Sequence, residues 1–299
     1  MAGTQPGEAT IMLTVLAPAK LNLTLEVLSR RPDGFHEILS VIQTISLCDR
    51  LSFRLSDKMV FRCGEPGWLA EKSLVSRAAS LLKETSGYPK GAVIEVGKHT
   101  PLLSGLGGDS SGAAAVLGGL NKLWGLALPP GELARLASQL GSDVVFFLFG
   151  GTAMIGGRGE LVGPLPPLPH RWLVLLVPAV PVPDGKTGRL YASLKESHYT
   201  QGRMTEELVA LLTRGGVVTA ANLFNVFENV AYNSFDGLDD SRRKFLKAGA
   251  GNVHLAGSGP ALFTLVKGKA QAERIHASLQ RQGLRSYLAE TLEATSPPE

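Results

Sequence analysis

The chain has 299 residues, of which 44% are hydrophobic and 19% are charged, which is ordinary for a globular protein with a large core. The formal net charge of +4 is too small to indicate nucleic-acid binding, although it is compatible with a small anionic substrate. Two scattered cysteines, Cys48 and Cys63, give neither a disulfide framework nor a zinc-binding spacing, and they indicate a reducing compartment. We expect about two domains and a cytoplasmic protein.

The N-terminal residues and the apolar runs give no sign of membrane targeting. Residues 1–10 have no basic residues ahead of an apolar run, so we expect a short disordered tail and not a signal peptide. The apolar runs at 144–149 and 172–177 are far shorter than a membrane span. We expect a small-molecule substrate, no membrane or nucleic-acid partner, and a monomer or a homodimer.

Periodicity in the first half of the chain predicts strands and helices in alternation. Alternating apolar residues at 21–27 predict a half-buried strand, and the Pro-Asp-Gly sequence at 32–34 predicts a turn after it. Further strands are predicted at 41–47, 51–55, 59–61 and 92–96. Helices are predicted at 71–85, with Gly87 as a stop signal, and at 112–123 and 131–140.

Four prolines between positions 164 and 169 separate this half of the chain from the second. We interpret them as the passage into a second domain, which gives domains at 1–162 and 163–299; a rigid connection within one domain is the alternative. The second half is predicted to contain strands at 172–177, 252–255, 261–266 and 284–289, and helices at 186–195, 204–213, 235–247 and 269–281. This mixture indicates a compact α/β sandwich.

One glycine-rich segment has the composition of an anion-binding loop. Glycines allow backbone N–H groups to approach an anion closely, and the helix predicted after them offers unpaired N–H groups at its start. The spacing fits neither a Walker loop nor a Rossmann loop, and a plain helix start with flexible glycines is the alternative. The predicted phosphate site comprises Pro101, Leu102, Leu103, Ser104, Gly105, Leu106, Gly107, Gly108, Asp109, Ser110 and Ser111.

Ordered segments along the chain resemble the motifs of the GHMP kinase superfamily. They are APAKLNL at 17–23, DGFHE at 33–37, QTISLCD at 43–49, PLLSGLGGDSS at 101–111, GSDVVFFL at 141–148, GRGE at 157–160 and GSG at 257–259. Each match alone is weak, but the set in this order covers nearly the whole chain. DGFHE and SDVVFF resemble the superfamily's cytidine-diphosphate-methylerythritol kinases more than its homoserine, mevalonate or galactose kinases.

The resemblance implies a fold, a reaction and cofactors. The implied fold is α+β in two domains: an N-terminal domain like domain 2 of ribosomal protein S5, which binds ATP, and a ferredoxin-like C-terminal domain. The implied reaction is ATP-dependent phosphorylation of the 2-hydroxyl of 4-diphosphocytidyl-2-C-methyl-D-erythritol, a step of the non-mevalonate isoprenoid pathway. ATP and Mg²⁺ are the implied cofactors, and the metal ligands stay unassigned.

Two residues of these motifs are the candidate catalytic pair. Asp143 would accept or orient the proton of the substrate alcohol, and its apolar neighbours at 144–147 would desolvate it and raise its pKa. Lys20 would keep Asp143 ionised and stabilise charge on the reacting oxygens. The alternatives are that Asp143 is a helix N-cap and that Lys20 is a strand residue with its ammonium in solvent.

The resemblance also implies substrate-binding residues around this pair. Phe35 would stack on a pyrimidine, and His36 would hydrogen-bond its edge. Asn22 shares a strand face with Lys20 by alternation, and it is therefore expected in the same pocket. Thr187 matches a substrate-facing threonine loosely. The Gly257-Ser258-Gly259 segment completes the predicted substrate site, although alone it is typical of a hairpin turn.

Asp109 departs from the motif, which commonly has a third glycine at this position. Gly112 stands where aspartate or asparagine is usual. Aspartate tolerates a left-handed backbone better than most residues, so the loop shape can be kept. We predict that Asp109 points away from the phosphates or towards a bound magnesium ion. Another GHMP small-molecule kinase and a non-catalytic nucleotide-binding protein are the alternative functions.

Overall fold

The structure, a computed structural model, describes residues 12–294, so the tail predicted at residues 1–10 lies outside it. The strands are β1 (Leu13–Arg30), β2 (His36–Ser56), β3 (Val60–Cys63), β4 (Gly91–Gly97), β5 (Thr152–Gly157), β6 (Leu161–Pro164), β7 (Trp172–Leu176), β8 (Phe224–Asn225), β9 (His254–Leu255), β10 (Leu262–Val266) and β11 (Ser286–Glu290). The helices are α1 (Leu74–Ser86), α2 (Gly108–Leu123), α3 (Pro130–Leu140), α4 (Ser142–Phe149), α5 (Lys186–Ser193), α6 (Arg203–Thr213), α7 (Glu228–Ser234), α8 (Leu238–Lys247) and α9 (Lys269–Arg281).

The first sheet is built around the long antiparallel pair β1 and β2. Its strand order is β3-β4-β2-β1-β8, with β5 joined to β2 and β6 to β5. β5 pairs with the first part of β2 and β4 with its last part, so the sheet curls. The break predicted between strands at 41–47 and 51–55 is absent, since residues 48–50 pair in regular register with residues 16–18. A β-bulge lies just before it, where Pro18 pairs with Cys48 but Ala19 pairs with Ile45.

Helix α2 packs on β1 and β2, helices α1, α3 and α4 pack against α2, and the start of α2 differs from the prediction. Gly87 ends α1 in a left-handed conformation with a φ of 65°, as its stop signal predicted. α2 begins at Gly108 and not at residue 112, because the left-handed Gly107 ends the loop and serves as N-cap. Residues 109–111 are therefore helical. α4 was not predicted, because its apolar residues run continuously and show no helical period.

The second sheet has the order β11-β7-β10-β9 and packs against α9. One short strand from the second half of the chain, β8, joins the first sheet by parallel pairing with β1. α6 also packs against β1 and β2, and its backbone N–H at Thr205 donates to the buried carboxylate of Glu26 at 2.8 Å. The predicted α+β organisation with two sheets is confirmed, and the domain division at 162 stays a prediction.

None of the helices within residues 12–294 combines the length and the apolar character needed to cross a membrane.

Candidate active site

A cleft of about 1100 Å³ opens where β1, the loop before α2, α4 and α5 approach one another. Nearly all residues predicted for the site come together in this cleft. It is lined by Lys20, Asn22, Phe35, His36, Pro101, Leu102, Leu103, Ser104, Gly105, Leu106, Gly107, Gly108, Asp109, Ser110, Asp143, Thr187, Gly257 and Ser258. Of the predicted site residues, Ser111 and Gly259 lie outside the lining, and both are buried.

The glycine-rich loop presses its backbone against two neighbouring segments. Gly105 has a φ of 89°, and a Cβ atom built there would lie 2.1 Å from the carbonyl oxygen of Ala256. Gly107 has a φ of 73°, and its Cβ atom would lie 2.9 Å from the Phe147 ring and 3.0 Å from Cγ of Lys20. Both positions therefore require glycine, for backbone conformation and for space.

The start of α2 faces the same cleft with free backbone donors. No side chain caps this end of the helix. Its first N–H groups therefore remain available, and the helix dipole adds a partial positive charge. The ammonium of Lys98 lies nearby, with its Nζ 3.2 Å from where a Gly108 Cβ atom would be, and its charge is balanced by the buried Asp49. This end of the cleft is suited to an anionic group such as a phosphate.

Lys20 and Asp143 form an ion pair at the centre of the cleft. Lys20 Nζ lies 3.6 Å from Asp143 Oδ2 and donates to Asn22 Oδ1 at 2.8 Å. Asn22 in turn donates to Ser40 Oγ at 2.9 Å, which fixes its amide. The backbone N–H of Lys20 donates to the carbonyl oxygen of Leu106 at 2.9 Å, so β1 and the glycine loop are joined directly. Lys20 is therefore a positioned, buried residue and not one with its ammonium in solvent.

Asp143 faces the cleft from the first turn of α4. Gly141 is the N-cap of this helix, and no side chain makes a capping hydrogen bond there, so Asp143 is not a cap. The expected desolvation by residues 144–147 is not found, because those side chains face the core while the Asp143 side chain is 38% exposed. The carboxylate is accessible to a ligand in the cleft, with Lys20 beside it.

Asp109 is turned away from the loop and towards the start of α1. Ser73 Oγ donates to Oδ1 of Asp109 at 2.6 Å, and the backbone N–H of Leu74 donates to Oδ2 at 2.9 Å. Ser73 is the N-cap of α1, and its hydroxyl accepts from the N–H of Val75 at 3.1 Å. Negative charge is favourable at a helix N-terminus. The carboxylate of Asp109 is therefore held at the start of α1 while the residue still lines the cleft, and its orientation relative to bound phosphates or magnesium stays a prediction.

Replacing Asp109 by alanine is expected to destabilise the fold without changing the magnesium requirement. Both carboxylate oxygens are engaged by Ser73 and Leu74, and the loss of these hydrogen bonds should lower the free energy of unfolding by about 1–2 kcal/mol. Urea unfolding and ATP affinity at several magnesium concentrations measure the two effects. A changed magnesium dependence in Asp109→Ala would show that Asp109 contacts the metal ion.

Aromatic side chains occupy the other end of the cleft. The His36 ring stacks on Tyr191 with centroids 4.7 Å apart and planes 19° from parallel, and Tyr199 contacts it edge-on at 6.0 Å. Phe35 is 56% exposed, and the guanidinium carbon of Arg158 lies 4.8 Å from its ring centroid. Phe35 is therefore open to a ligand, whereas His36 already has one face covered.

Two pKa shifts determine the protonation states of His36 and Tyr191 at this aromatic end. Burial, and then the charge of Arg30, lower the pKa of His36, so its imidazole is neutral at neutral pH. A neutral imidazole has one hydrogen-bond donor and one acceptor. Burial, and then the charge of Asp143, raise the pKa of Tyr191 to about 12, so its hydroxyl keeps its proton. Tyr191 thus connects the aromatic end with the Lys20–Asp143 pair.

Several residues that line the cleft were not predicted as site residues, among them Lys98, Arg158, Lys186 and Tyr191. A signal for Tyr191 was present, because it lies four residues after Thr187 on α5 and helical spacing puts both on one face. Lys186 had no comparable signal. Its place in the site depends on contacts with residues 258–259, which only the tertiary structure brings near.

Comparison with known proteins places this arrangement in a family. The model for the GHMP kinases N terminal domain matches residues 73–151, and the model for the GHMP kinases C terminal domain matches residues 205–284. A homoserine kinase from Cytophaga hutchinsonii has a similar fold, with a TM-score of 0.74 over 100% of this chain and 99% of that chain, at 23% identity.

More similar proteins share the name 4-diphosphocytidyl-2-C-methyl-D-erythritol kinase. One from Dehalococcoides mccartyi is 50% identical over 94% of this chain and 99% of its own length. One from Geobacillus thermodenitrificans is 37% identical over 90% of this chain and 93% of its own. A crystal structure of 4-(cytidine 5'-diphospho)-2C-methyl-D-erythritol kinase aligns with a TM-score of 0.79 at 34% identity, over 93% of this chain and 99% of that one. The chain therefore belongs to the GHMP kinase family.

Proposed function

We propose that the chain is an ATP-dependent kinase that phosphorylates the 2-hydroxyl of 4-diphosphocytidyl-2-C-methyl-D-erythritol. The observation that carries the proposal is the single cleft that joins an anion-binding glycine loop, the Lys20–Asp143 pair and an aromatic end at His36 and Tyr191. A triphosphate, a reacting alcohol and a pyrimidine need these three environments in this order. The names of the similar proteins support the same reaction.

Phosphoryl transfer depends mainly on positioning and charge stabilisation. In the proposed mechanism Asp143 holds the substrate hydroxyl and accepts its proton as the oxygen attacks the terminal phosphorus of ATP. Lys20 stabilises the charge that develops on the transferred oxygens, and its bond to Asn22 keeps it aimed at the cleft. The bond between the terminal phosphorus and the bridging oxygen then breaks, and ADP leaves. The N–H groups at the start of α2 hold the remaining phosphates.

The cleft fits the phosphates of ATP better than it fits a bare cation. Lys20, Lys98 and Lys186 line it together with the start of α2. Across residues 12–294, no group of three or more His, Cys, Asp or Glu side chains is arranged to hold a metal ion. We propose that the hydroxyl of Ser110 would help to hold a Mg²⁺ ion carried by ATP, and the ion would supply neutralisation of phosphate charge.

The aromatic end is proposed to recognise cytosine. The exposed ring of Phe35 can stack on a flat base, and the neutral His36 can exchange hydrogen bonds with its edge. Thr187 and Ser258, whose hydroxyl oxygens lie 2.9 Å apart, would face the methylerythritol part. We further propose that the protein works in the cytoplasm, as a monomer or homodimer and without a nucleic-acid partner.

Replacing Tyr191 by leucine is expected to raise the KM for the cytidine substrate about tenfold, because His36 loses the ring that orients it and a misplaced hydrogen bond to the base costs about 0.5–1.5 kcal/mol. The lost ring supports His36 from behind at 4.7 Å. The KM for ATP should change little. Steady-state kinetics with each substrate varied in turn measure both constants. Tyr191→Phe keeps the ring, and equal losses in the two variants would contradict a stacking role.

A panel of alcohol acceptors tests the proposed function. ADP release would be measured with ATP, magnesium and, in separate reactions, the cytidine substrate, homoserine, mevalonate and galactose. We expect turnover with the cytidine substrate alone. Faster turnover of another acceptor would identify a different GHMP kinase, and ATP binding without any turnover would identify a non-catalytic nucleotide-binding protein.

A further inference from the structure

Lys186 is a buried cation, and no carboxylate within residues 12–294 pairs with it. It is 8% exposed at the start of α5. Its Nζ donates to Ser258 Oγ at 3.2 Å and to the carbonyl oxygen of Gly259, which are both neutral acceptors. Burying an ammonium group among neutral atoms costs free energy. A buried lysine without a carboxylate partner on the wall of a cleft is suited to bind an anionic ligand.

The Gly-Ser-Gly segment at 257–259 brings Lys186 close to Lys20. A Cβ atom on Gly257 would lie 3.4 Å from Lys20 Nζ, whereas the next two residues accept hydrogen bonds from Lys186. Burial, and then the charge of Lys20, lower the pKa of Lys186 to about 8. Asp143 balances one of these two positive charges, at 3.6 Å from Lys20, and the other stays unbalanced.

The glycine loop also packs against the segment that contacts Lys186. A Cβ atom on Gly105 would lie 2.9 Å from the backbone nitrogen of Gly259 and 3.1 Å from its carbonyl oxygen, which is the acceptor of Lys186. The acceptors of Lys186 therefore lie in a segment that contacts both the glycine loop and Lys20. A phosphoryl group that passes from ATP to an alcohol beside Asp143 must cross this region.

We propose that Lys186 binds the terminal phosphoryl group of ATP and stays in contact with it during transfer. The proposal rests on ATP being the phosphoryl donor. The ammonium would exchange its neutral acceptors, Ser258 and Gly259, for phosphate oxygens and would stabilise their negative charge. Lys20 would then act from the side of the alcohol and Lys186 from the side of the nucleotide.

This role gives ATP binding a specific pH dependence. Below pH about 8 Lys186 of the free protein is charged and attracts the phosphate, and above it the side chain is neutral. A bound phosphate favours the charged form, so the pKa of Lys186 is higher in the complex than in the free protein. The affinity for ATP therefore falls as the pH rises through about 8. ADP lacks the terminal phosphate, so its affinity should not show this fall.

The experiment compares ATP and ADP binding by the full chain and by Lys186→Met between pH 6 and 10, with titration calorimetry in the presence of magnesium. We expect the variant to bind ATP about tenfold more weakly at pH 7, to bind ADP within about twofold of the wild type, and to lose the fall near pH 8. In steady-state assays kcat/KM for ATP should drop about a hundredfold. The binding measurements contain no alcohol acceptor. Their outcome is therefore independent of whether the cytidine substrate is turned over in the acceptor panel.

Two further variants separate this role from a structural one. Lys195→Met removes an exposed ammonium group outside the cleft lining and leaves Lys186 and its acceptors in place, so the preference for ATP and its pH dependence should remain. Lys186→Arg keeps a charge that does not titrate between pH 6 and 10, so the fall near pH 8 should disappear. A fall that stays near pH 8 in Lys186→Arg, or equal losses of ATP and ADP affinity in Lys186→Met, would overturn the proposal. If Lys186→Met does not fold, the Lys186→Arg profile decides.

Discussion

Replacing Asp143 by asparagine is expected to lower kcat about a thousandfold while the affinity for ATP stays within about threefold. The amide has nearly the shape of the carboxylate, but it cannot accept the proton of the substrate alcohol. ATP binding should persist because the glycine loop, the start of α2 and the lysines of the cleft are unchanged. The loss of the negative charge 3.6 Å from Lys20 should even favour binding of the phosphates slightly.

Single-turnover measurements with the cytidine substrate give the rate of the chemical step, and nucleotide titration gives the affinity. Asp184→Asn is a matched control, because this exposed carboxylate lies in the turn just before α5 and outside the cleft lining. A near-native rate in Asp143→Asn would show that Asp143 only anchors the hydroxyl by hydrogen bonding. The proton would then have to leave by another route.

The site residues on β1 and in the glycine loop could be predicted, because their positions depend on local sequence. Alternation along β1 put Lys20 and Asn22 on one face, and the structure joins them by a 2.8 Å hydrogen bond. The glycines of the loop were recognisable, since close backbone approach and positive φ values leave glycine as the suitable residue. The exact start of α2 could not be read, because a left-handed Gly107 as N-cap has no distinct pattern among neighbouring glycines.

Other features of the fold and the site depend on contacts between distant parts of the chain. The partner of Asp109, the N-cap Ser73, lies 36 residues earlier in the chain, so no local pattern indicates the orientation of Asp109. Strand β8, which pairs with β1, has only two residues, and two residues are too few to show the alternating pattern of a strand. Lys186 becomes a site residue only when residues 257–259 fold back against the glycine loop. These features follow from tertiary packing, which local patterns do not encode.

Replacing Gly105 by alanine is expected to weaken ATP binding at least a hundredfold and to destabilise the fold by about 2–4 kcal/mol. The new Cβ atom would lie 2.1 Å from the carbonyl oxygen of Ala256, which is backbone and cannot rotate away, and φ is 89°. The glycine loop and the 257–259 segment would have to separate. Since the loop carbonyl of Leu106 accepts the backbone N–H of Lys20, that movement should also displace Lys20.

Gly118→Ala is the matched control for this substitution, because Gly118 lies within α2 and nothing surrounds its Cβ position within 4 Å. It should stabilise the protein by about 0.5–1 kcal/mol through helix propensity and leave ATP binding unchanged. Thermal unfolding and nucleotide titration of both variants provide the comparison. A Gly105→Ala protein that folds and binds ATP like the wild type would mean that the two loops are free to move apart. In that case the close approach of Gly105 to Gly259 would not be what positions Lys186 beside the phosphates.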